Sequence, residues 1–474
     1  MPLRDVNTII TDGGLGVDTT KGVGIHFKIG VSPIVSSVPI VISGTMNAKK
    51  IKEKLGLSPL ADACMDSVEN GSNMIYCLPV IASVAGTIGT VTKAGTGLGL
   101  CTVTGAPNNA YELLVKFTGA GGFNEAVLRY SVDGGYSYSD EVTLAVNGEV
   151  SIPSTGVVFK FTEDVVKADS FKIGDTYTVK TEAPQMTNED VLGAIDKLRN
   201  TSYSFEFVHI VGESTKALWA AVSSEEQTFY EQYKKPLFFV LEARNITEDE
   251  SLDEYAQYLV DERIGLQNYD IQIVTARSLY TRMDGTIHDI NNAGIVCGLY
   301  SKSKVQQSIG EVKSFSISEN KMLELLPVGI EDYIGILDET KYLTFRKYEG
   351  LEGFYVTNAR MMCPDGSDYR YAEDVRVKNK IVKETRKKAL LELQSDVDMV
   401  DVQGSLETIA KFIQIPLDIM ARSKEISSAK IIVPEGQDIL ATEKLIIVIR
   451  YIPIGHIREI EIDLGMENPF TKQL

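Results

Sequence analysis

The clearest pattern along the chain is a long helix signal between Tyr371 and Leu393. This stretch contains no Gly or Pro, and most of its residues are good helix formers. Val375, Val382, Ala389 and Leu393 form one narrow apolar stripe along it. The pattern therefore predicts a helix that packs against the rest of the protein on one side only.

The other face of this predicted helix is basic. Two acidic residues, Glu373 and Asp374, lie in its first turn, where they suit the helix dipole. Seven basic residues follow: Arg376, Lys378, Lys380, Lys383, Arg386, Lys387 and Lys388. Such a face is either simply solvated or docks onto an acidic partner, and the residues alone leave both alternatives open.

Alternating strand and helix patterns predict one α/β domain from residues 31–89 together with 184–320. Strands separated by helices of ordinary length pair in parallel through right-handed crossovers. The uncharged strand Met74–Val80 is expected to join the same sheet. The predicted strands are 38–42, 73–80, 205–211, 236–242, 270–275 and 294–300, and the predicted helices are 48–55, 59–68, 187–198, 214–233, 249–263 and 302–309.

Residues 90–183 have a different character, because Gly and Thr are frequent and long helical patterns disappear. Alternation of apolar and polar residues predicts strands here, and Asp133-Gly134-Gly135 is a hairpin signal. The segment is predicted to be an inserted, β-rich domain. Its predicted strands are 111–117, 127–132, 157–161 and 176–180.

Residues 321–456 are predicted to form a C-terminal α/β domain that contains the basic helix. Ser405 is expected to cap a second helix, and Pro416 should kink it or split it. Its apolar stripe is Leu406, Ile409, Ala410, Ile413, Leu417 and Met420, and the strands predicted around the two helices are 353–357, 429–433 and 444–452.

Both ends of the chain carry a short strand pattern without an obvious neighbour. Residues 1–30 are predicted to be a strand arm with a Gly-rich tether, and residues 457–474 a second arm. An isolated strand must pair with a sheet edge, in its own molecule or in another. The alternating positions are Val6, Thr8 and Ile10 at one end, and Ile460, Ile462 and Leu464 at the other, where Glu459, Glu461 and Asp463 point the opposite way.

Composition narrows the functional classes. The 474 residues are enough for about three domains. A net charge of −18 argues against broad nucleic-acid binding. The five Cys show no metal-ligand or disulfide spacing. The N-terminus lacks a signal-peptide pattern, and the two uncharged runs, 30–48 and 70–92, are too interrupted to be membrane spans.

No set of residues for catalysis or for a cofactor is recognisable. The chain has no GxxxxGK[ST], GxSxG or HExxH motif, and the Gly-rich run Gly95–Gly99 lacks the spacing of a dinucleotide site. His209, within a predicted strand, is interpreted as a hydrogen-bonded core histidine. Gly285 between Asp284 and His288 favours a turn there over a catalytic pair.

The layout resembles the contractile tail sheath proteins of myophages and related injection particles. The resemblance is carried by four segments: DVNTIITDGGLG at 5–16, SPLADACMDSVENGSNMIYCLPV at 58–80, VLRYSVDGGYSYS at 127–139, and the region 350–464 that opens with GLEGFYVTNARMM. It implies a sheath-like α/β body built from the N- and C-terminal parts, an inserted all-β domain that faces outward, and extended terminal strand arms.

In that family, subunits form stacked hexameric rings around an inner tail tube and contract to drive the tube through a cell envelope. The resemblance implies no enzyme activity and no cofactor. It implies that Lys383, Arg386, Lys387 and Lys388 contact the inner tube, and that the two terminal strands complete sheets in neighbouring subunits. Baseplate and tail terminator proteins are the other partners implied, in a virion tail or tail-like particle assembled in the host cytoplasm, without nucleic-acid binding or membrane insertion.

Two alternatives stay open at this point. The parallel-sheet pattern of residues 205–300 would also suit a cytosolic α/β enzyme with a β insertion. The terminal strands would also suit a virion protein that polymerises without contracting.

Overall fold

A computed structural model describes residues 24–36 and 38–466. The chain divides into two compact units, one that ends at Lys383 and one that begins at Glu384. Val6, Thr8 and Ile10 of the predicted N-terminal arm lie outside the described residues.

The first unit opens with strands and helices that match the predicted α/β pattern. Asn47 and Ser58 cap the two helices, because each side chain accepts a hydrogen bond from a first-turn amide. The elements are β1 (His26–Val31), β2 (Ile40–Ser43), α1 (Ala48–Leu55), α2 (Pro59–Glu69) and β3 (Met74–Val80).

The next segment consists mainly of antiparallel strands around an aromatic core. Its elements are β4 (Thr92–Ala94), β5 (Leu100–Gly105), β6 (Tyr111–Gly119), β7 (Val127–Ser131), β8 (Val142–Thr143), β9 (Glu149–Ile152), β10 (Val157–Thr162), α3 (Lys167–Ser170) and β11 (Thr176–Thr181). They form two sheets, ordered β5–β10–β9 and β4–β11–β6–β7–β8. In their shared core Phe117 stacks on Phe171, and Phe161 meets both rings edge to face. The four strands predicted here are confirmed, whereas their separation as a domain stays a prediction.

Helices and strands alternate again after this segment. The elements are α4 (Asn188–Arg199), β12 (Phe207–Ser214), α5 (Lys216–Glu231), β13 (Phe238–Ala243), α6 (Leu252–Arg263), β14 (Ile271–Val274), β15 (Arg277–Thr281), β16 (Ile287–Asn291) and α7 (Ala293–Lys302). Capping boxes start two of the helices, Thr187 with Asp190 at α4 and Ser251 with Glu254 at α6.

The strand predicted at 294–300 and the helix predicted at 302–309 are both wrong. Residues 293–302 form the buried helix α7, and the chain turns after it. A short run that is apolar on every side has no period that separates a strand from a buried helix. Two glycines allow α7 to approach the neighbouring helix closely. A Cβ on Gly294 would lie 2.9 Å from Cβ of Asp66, and one on Gly298 would lie 2.7 Å from Cβ of Asn70. Thus α7 packs closely on α2.

In the described part of the chain the central sheet has six strands, in the order β14–β13–β12–β1–β3–β2. All neighbours pair in parallel except β2, which runs antiparallel to β3. Strand Met74–Val80 therefore joins this sheet, as predicted. The expectation that residues 1–30 are an arm and tether is wrong for 26–30, since these residues belong to β1, a fully buried strand between β12 and β3.

The first unit closes with short strands and the start of the long helix. The elements are β17 (Met322–Leu326), a 3-10 turn (Ile330–Tyr333), α8 (Ile334–Glu339), β18 (Phe345–Lys347), β19 (Phe354–Val356) and α9 (Ala372–Leu391). Strand β17 extends a small sheet in the order β16–β15–β17, and β18 pairs with β19. Helix α9 confirms the long helix predicted from the sequence.

The second unit contains α10 (Val402–Arg422), β20 (Ser428–Ile432), α11 (Ile439–Thr442) and β21 (Val448–Ile452). Asp401, four residues before the predicted cap Ser405, caps α10 by accepting a hydrogen bond from the Gly404 amide. The prediction that Pro416 kinks or splits the helix is wrong as to splitting, because α10 continues through it with Pro416 buried. The predicted apolar stripe is buried at Leu406, Ala410, Ile413, Leu417 and Met420.

Candidate assembly interface

The C-terminal segment places apolar side chains in solvent. Residues 453–466 form neither helix nor strand in the described structure. Ile460, Ile462 and Leu464 expose 76%, 80% and 92% of their surface. The prediction of a half-buried strand at 457–464 is therefore wrong within the chain itself. Because alternating apolar residues need a covering sheet, their pairing with a neighbouring subunit stays a prediction.

A small antiparallel sheet precedes this segment. Strands β20 and β21 pair with each other, and both lie beyond helix α10 in the sequence. The side chain of Gln414 in α10 fixes the sheet: its Nε2 donates to the Ala429 carbonyl at 3.0 Å, and its Oε1 accepts from the Ile431 amide at 2.9 Å. A sheet of two strands is marginal alone, and its outer edges, which pair with no other described strand, are available for strand addition.

The first half of α9 does not present the basic face that the sequence predicted. Arg376 is fully buried and pairs with Glu206, with 2.5 Å between Nε and Oε1. Lys378 pairs with Asp270, with 2.7 Å between Nζ and Oδ2. Two of the seven predicted surface cations therefore hold the helix against its own body, because their carboxylate partners come from distant parts of the sequence.

The four residues expected to contact an inner tube differ in their surroundings. The Lys383 ammonium donates to Ser204 Oγ at 2.9 Å and to the Phe205 carbonyl at 3.2 Å, so it is engaged within its own chain. Arg386 and Lys387 are exposed, and Lys387 forms a 2.6 Å ion pair with Glu384. Lys388 is half-buried, with Nζ 4.8 Å from the ring centre of Phe412. Arg386 and Lys387 thus remain the accessible cations of the four.

The Gly-rich run at 95–99 is occupied by the protein's own carboxylate. The Thr96 and Gly97 amides donate to Asp175 Oδ1 at 2.9 and 3.2 Å. A Cβ on Gly95 or Gly97 would lie 2.1 Å from an oxygen of that carboxylate. The glycines therefore allow Asp175 to approach the loop, which explains them without a phosphate ligand.

A cleft of about 610 Å³ lies beyond the carboxyl ends of β1, β12 and β13. This edge is where open α/β sheets usually bind ligands, so it is the natural site for the enzyme alternative. Carboxylates of the chain already hold each of the three arginines that line it: Arg282 pairs with Asp62 and Asp66, Arg277 with Glu213 and Asp289, and Arg244 with Glu250. The three guanidinium groups are therefore engaged within the chain, and the five carboxylates that hold them outnumber them.

The remaining sequence candidates also form internal contacts. Asp284 lies in the β15–β16 turn, where Gly285 has a φ of +85°. Burial raises the pKa of Asp284, but hydrogen bonds from Lys52 and Thr286 outweigh this effect and lower the pKa to about 2.

Within residues 24–36 and 38–466, no group of three His, Cys, Asp or Glu is arranged to hold a metal ion. No helix in that part of the chain is long and apolar enough to cross a bilayer.

Solved structures with a similar fold cover nearly the whole chain. A chain from the anti-feeding prophage baseplate in its contracted state matches with a TM-score of 0.51 and 12% identity, over 98% of each chain. A sheath tail protein from Desulfitobacterium hafniense matches with 0.49 and 11%, over 95% of this chain and 100% of that one. A sheath tail protein from Listeria innocua matches with 0.46 and 12%, over 91% and 95%.

The solved structures thus include tail sheath proteins, the group that the sequence resembles. No curated protein matches the chain. The family model described as DUF2586, N-terminal domain, matches residues 3–360, and the model described as DUF2586, C-terminal domain, matches residues 368–471. The chain therefore belongs to the DUF2586 family.

Proposed function

We propose that this chain is the structural subunit of a contractile tail sheath. It polymerises by exchanging β-strands between subunits around an inner tail tube, and it contracts to drive the tube through the envelope of a target cell. The observation that carries the proposal is the exposed, alternating apolar pattern of Ile460, Ile462 and Leu464 in a segment with no helix or strand of its own. The fold shared with a chain of the anti-feeding prophage baseplate in its contracted state supports it.

Strand exchange accounts for an assembly that is both strong and extensible. A donated strand gains main-chain hydrogen bonds from the sheet edge it joins, and its alternating side chains set the register. Head-to-tail contacts of this type close into rings or continue as helical filaments, and a tube of stacked hexameric rings combines both. Val6, Thr8 and Ile10 supply the same alternation at the other end of the chain.

Contraction then requires no external source of energy at the time it occurs. The contracted packing needs only to bury more surface than the extended one. At ~25 cal/mol per Å², each extra 100 Å² would contribute roughly 2.5 kcal/mol per subunit. Repeated over many subunits, this is enough for mechanical work, and the chain itself has no catalytic role and carries no cofactor.

Contact with the inner tube is proposed for the C-terminal end of α9. Arg386 and Lys387 are exposed there, with Lys388 beside them. Charge contacts at a surface are individually weak, so they can hold the extended state and still break when the packing changes.

The other proposed partners are further copies of the chain, baseplate proteins and a tail terminator. The complex is proposed to be part of a virion tail or tail-like particle assembled in the host cytoplasm, without nucleic-acid binding or membrane insertion.

Electron microscopy of the purified protein tests the proposal. Hollow tubes are expected, and particles of two lengths would separate a contractile sheath from a static polymer. Deletion of residues 1–16 or 457–474 should abolish the tubes and leave the body folded. A monodisperse monomer at high concentration would overturn the proposal.

A further inference from the structure

The guanidinium of Arg376 is bonded on every side inside the first unit. Its side chain is fully buried. Its Nε and Nη2 donate to the two carboxylate oxygens of Glu206 at 2.5 and 3.2 Å. The Nη2 atom also donates to the Tyr300 carbonyl at 2.9 Å, and Nη1 donates to Ser303 Oγ at 2.7 Å. One side chain of α9 thus joins the residue before β12 to the end of α7.

Glu206 also binds the two residues that precede β1. The Gly24 amide donates to Glu206 Oε2 at 2.6 Å, and the Glu206 amide donates to the Ile25 carbonyl at 2.8 Å. Ser301 Oγ donates to the Gly24 carbonyl at 2.5 Å. Gly24 has a φ of +71°, and a Cβ there would lie 2.8 Å from Cα of Ser301. This close approach is therefore possible only for glycine.

These contacts bring the residues just before β1 and the first half of α9 to one carboxylate. Gly24 is two residues before β1, and Arg376 is in the first turns of the helix that continues into the second unit. We propose that the Arg376–Glu206 pair is a mechanical coupling point, which passes tension between the N-terminal segment and helix α9 without pulling β1 out of the sheet. The inference rests on the proposed function, in which both terminal strands bind neighbouring subunits.

The chemistry of the pair suits this role. Separating a buried guanidinium from its carboxylate leaves two charges without compensation, which is far less favourable than breaking an exposed pair. The planar fork of Arg bonds both oxygens of Glu206, and a lysine cannot reproduce that geometry. Lys378 provides a matched comparison, because its pair with Asp270 is nearly as buried and lies on the same helix but has no contact with Gly24.

Hydrogen exchange of the full-length chain tests the coupling directly. In Arg376→Lys we expect at least tenfold faster amide exchange in peptides that cover Gly24–Phe27 and Tyr300–Lys304. In Lys378→Met the increase should be confined to peptides around Asp270. Glu206→Gln is a second variant, and it should resemble Arg376→Lys. Unchanged exchange at Gly24–Phe27 in both Arg376→Lys and Glu206→Gln, or an equal increase in Lys378→Met, would overturn the inference.

The assembled state gives an independent readout. Tubes of Arg376→Lys and of Gly24→Ala should break into short stacks when they contract, whereas tubes of Lys378→Met should stay as long as those of the wild type. Full-length contracted tubes from Arg376→Lys would contradict the coupling. If the wild-type chain forms no tubes, the proposed function fails, while the exchange experiment still decides whether Arg376 couples the residues just before β1 to α9.

Discussion

Lys28 and His209 meet in the middle of the central sheet, where Nζ of the lysine lies 2.6 Å from Nδ1 of the imidazole. The other ring nitrogen, Nε2, lies 2.9 Å from Glu242 Oε1. An ammonium group has no acceptor, so Nδ1 accepts from Lys28 and Nε2–H donates to Glu242. Burial, and then the charge of Lys28, hold the pKa of His209 well below its usual value. A neutral imidazole thus bridges a buried cation and a carboxylate, and the prediction of a hydrogen-bonded core histidine is confirmed.

The buried row of Lys28, His209 and Glu242 makes the free energy of unfolding depend on pH. Burial raises the pKa of Glu242 from 4.5 to about 7, although the Gly212 amide, Arg277 and Lys28 oppose the shift. The folded state therefore binds this proton more tightly than the unfolded state. The resulting stabilisation is complete below the unfolded pKa and is lost as the pH rises through 7. Between pH 5 and 8 the loss amounts to about 2.5 kcal/mol.

The variant Glu242→Gln removes this titration. Relative to wild type, its free energy of unfolding should rise by about 2.5 kcal/mol between pH 5 and 8, whatever its absolute cost, as measured by urea unfolding at both pH values. Glu53→Gln removes an exposed carboxylate and serves as the control, with no such relative change expected. A constant difference between Glu242→Gln and wild type across this range would show that Glu242 titrates normally.

The hydrogen bonds of the Gly-rich loop at 95–99 lead to a prediction about stability. The Asp175 carboxylate accepts from three amides, those of Thr96, Gly97 and Lys172. Asp175→Ala would leave these amides without their acceptor, and we expect it to lower the free energy of unfolding by at least about 2 kcal/mol. Asp169→Ala, which removes a half-exposed carboxylate nearby, should cost less than about 1 kcal/mol.

The same loop should ignore phosphate in the wild-type protein, because its amides are already bonded. Thermal unfolding with millimolar ATP or inorganic phosphate should leave the melting temperature unchanged. A clear rise in melting temperature would restore the enzyme alternative.

Much of the first unit could be predicted because local patterns there agree with the fold. The helix predicted at 187–198 begins at the Thr187 cap, and the alternation in β6 and β7 gave correct strands. Strand β1 was missed because its polar residues, His26 and Lys28, conceal a strand that is buried throughout. The imidazole of His209, which lies 181 residues away in the sequence, accepts a hydrogen bond from this buried lysine, and the sequence pattern does not show that contact.

The assembly surfaces were predictable to a smaller extent for a related reason. The sequence shows how many charges α9 carries, but not that Glu206, 170 residues from Arg376, draws one of them into the interior. An arginine among buried apolar positions of a helix was the available signal. At the C-terminus the alternation of Ile460 and Ile462 is visible in the sequence, yet the sheet that would cover them belongs to another molecule in the proposed assembly.

The exposed cations of α9 can be tested by charge reversal. In Arg386→Glu with Lys387→Glu we expect about fivefold to tenfold weaker co-assembly with the inner tube protein, since exposed charge contacts contribute up to about 1 kcal/mol each. The effect should shrink as salt is raised from 50 to 300 mM, because screening weakens such contacts. Co-sedimentation of sheath with preformed tubes measures both.

The matched control reverses two exposed lysines elsewhere in the second unit, Lys411 and Lys424. This variant should co-assemble like the wild type, and both double variants should unfold within about 0.5 kcal/mol of it. Equal co-assembly of all three proteins at low salt would identify the basic end of α9 as a merely solvated surface.

The C-terminal segment offers the sharpest test, because its two faces make opposite predictions. If residues 460–464 complete a neighbour's sheet, Ile460 and Ile462 must face its core, and Ile460→Asp with Ile462→Asp should abolish tubes in electron micrographs. Glu459→Ser with Glu461→Ser changes the outward face of the same strand and should leave the tubes intact. Neither variant should alter the stability of the monomer, because all these side chains are exposed in the single chain. Tubes that survive the aspartates but not the serines would mean that the strand pairs in the opposite register, and tubes that survive both would remove this segment from the assembly.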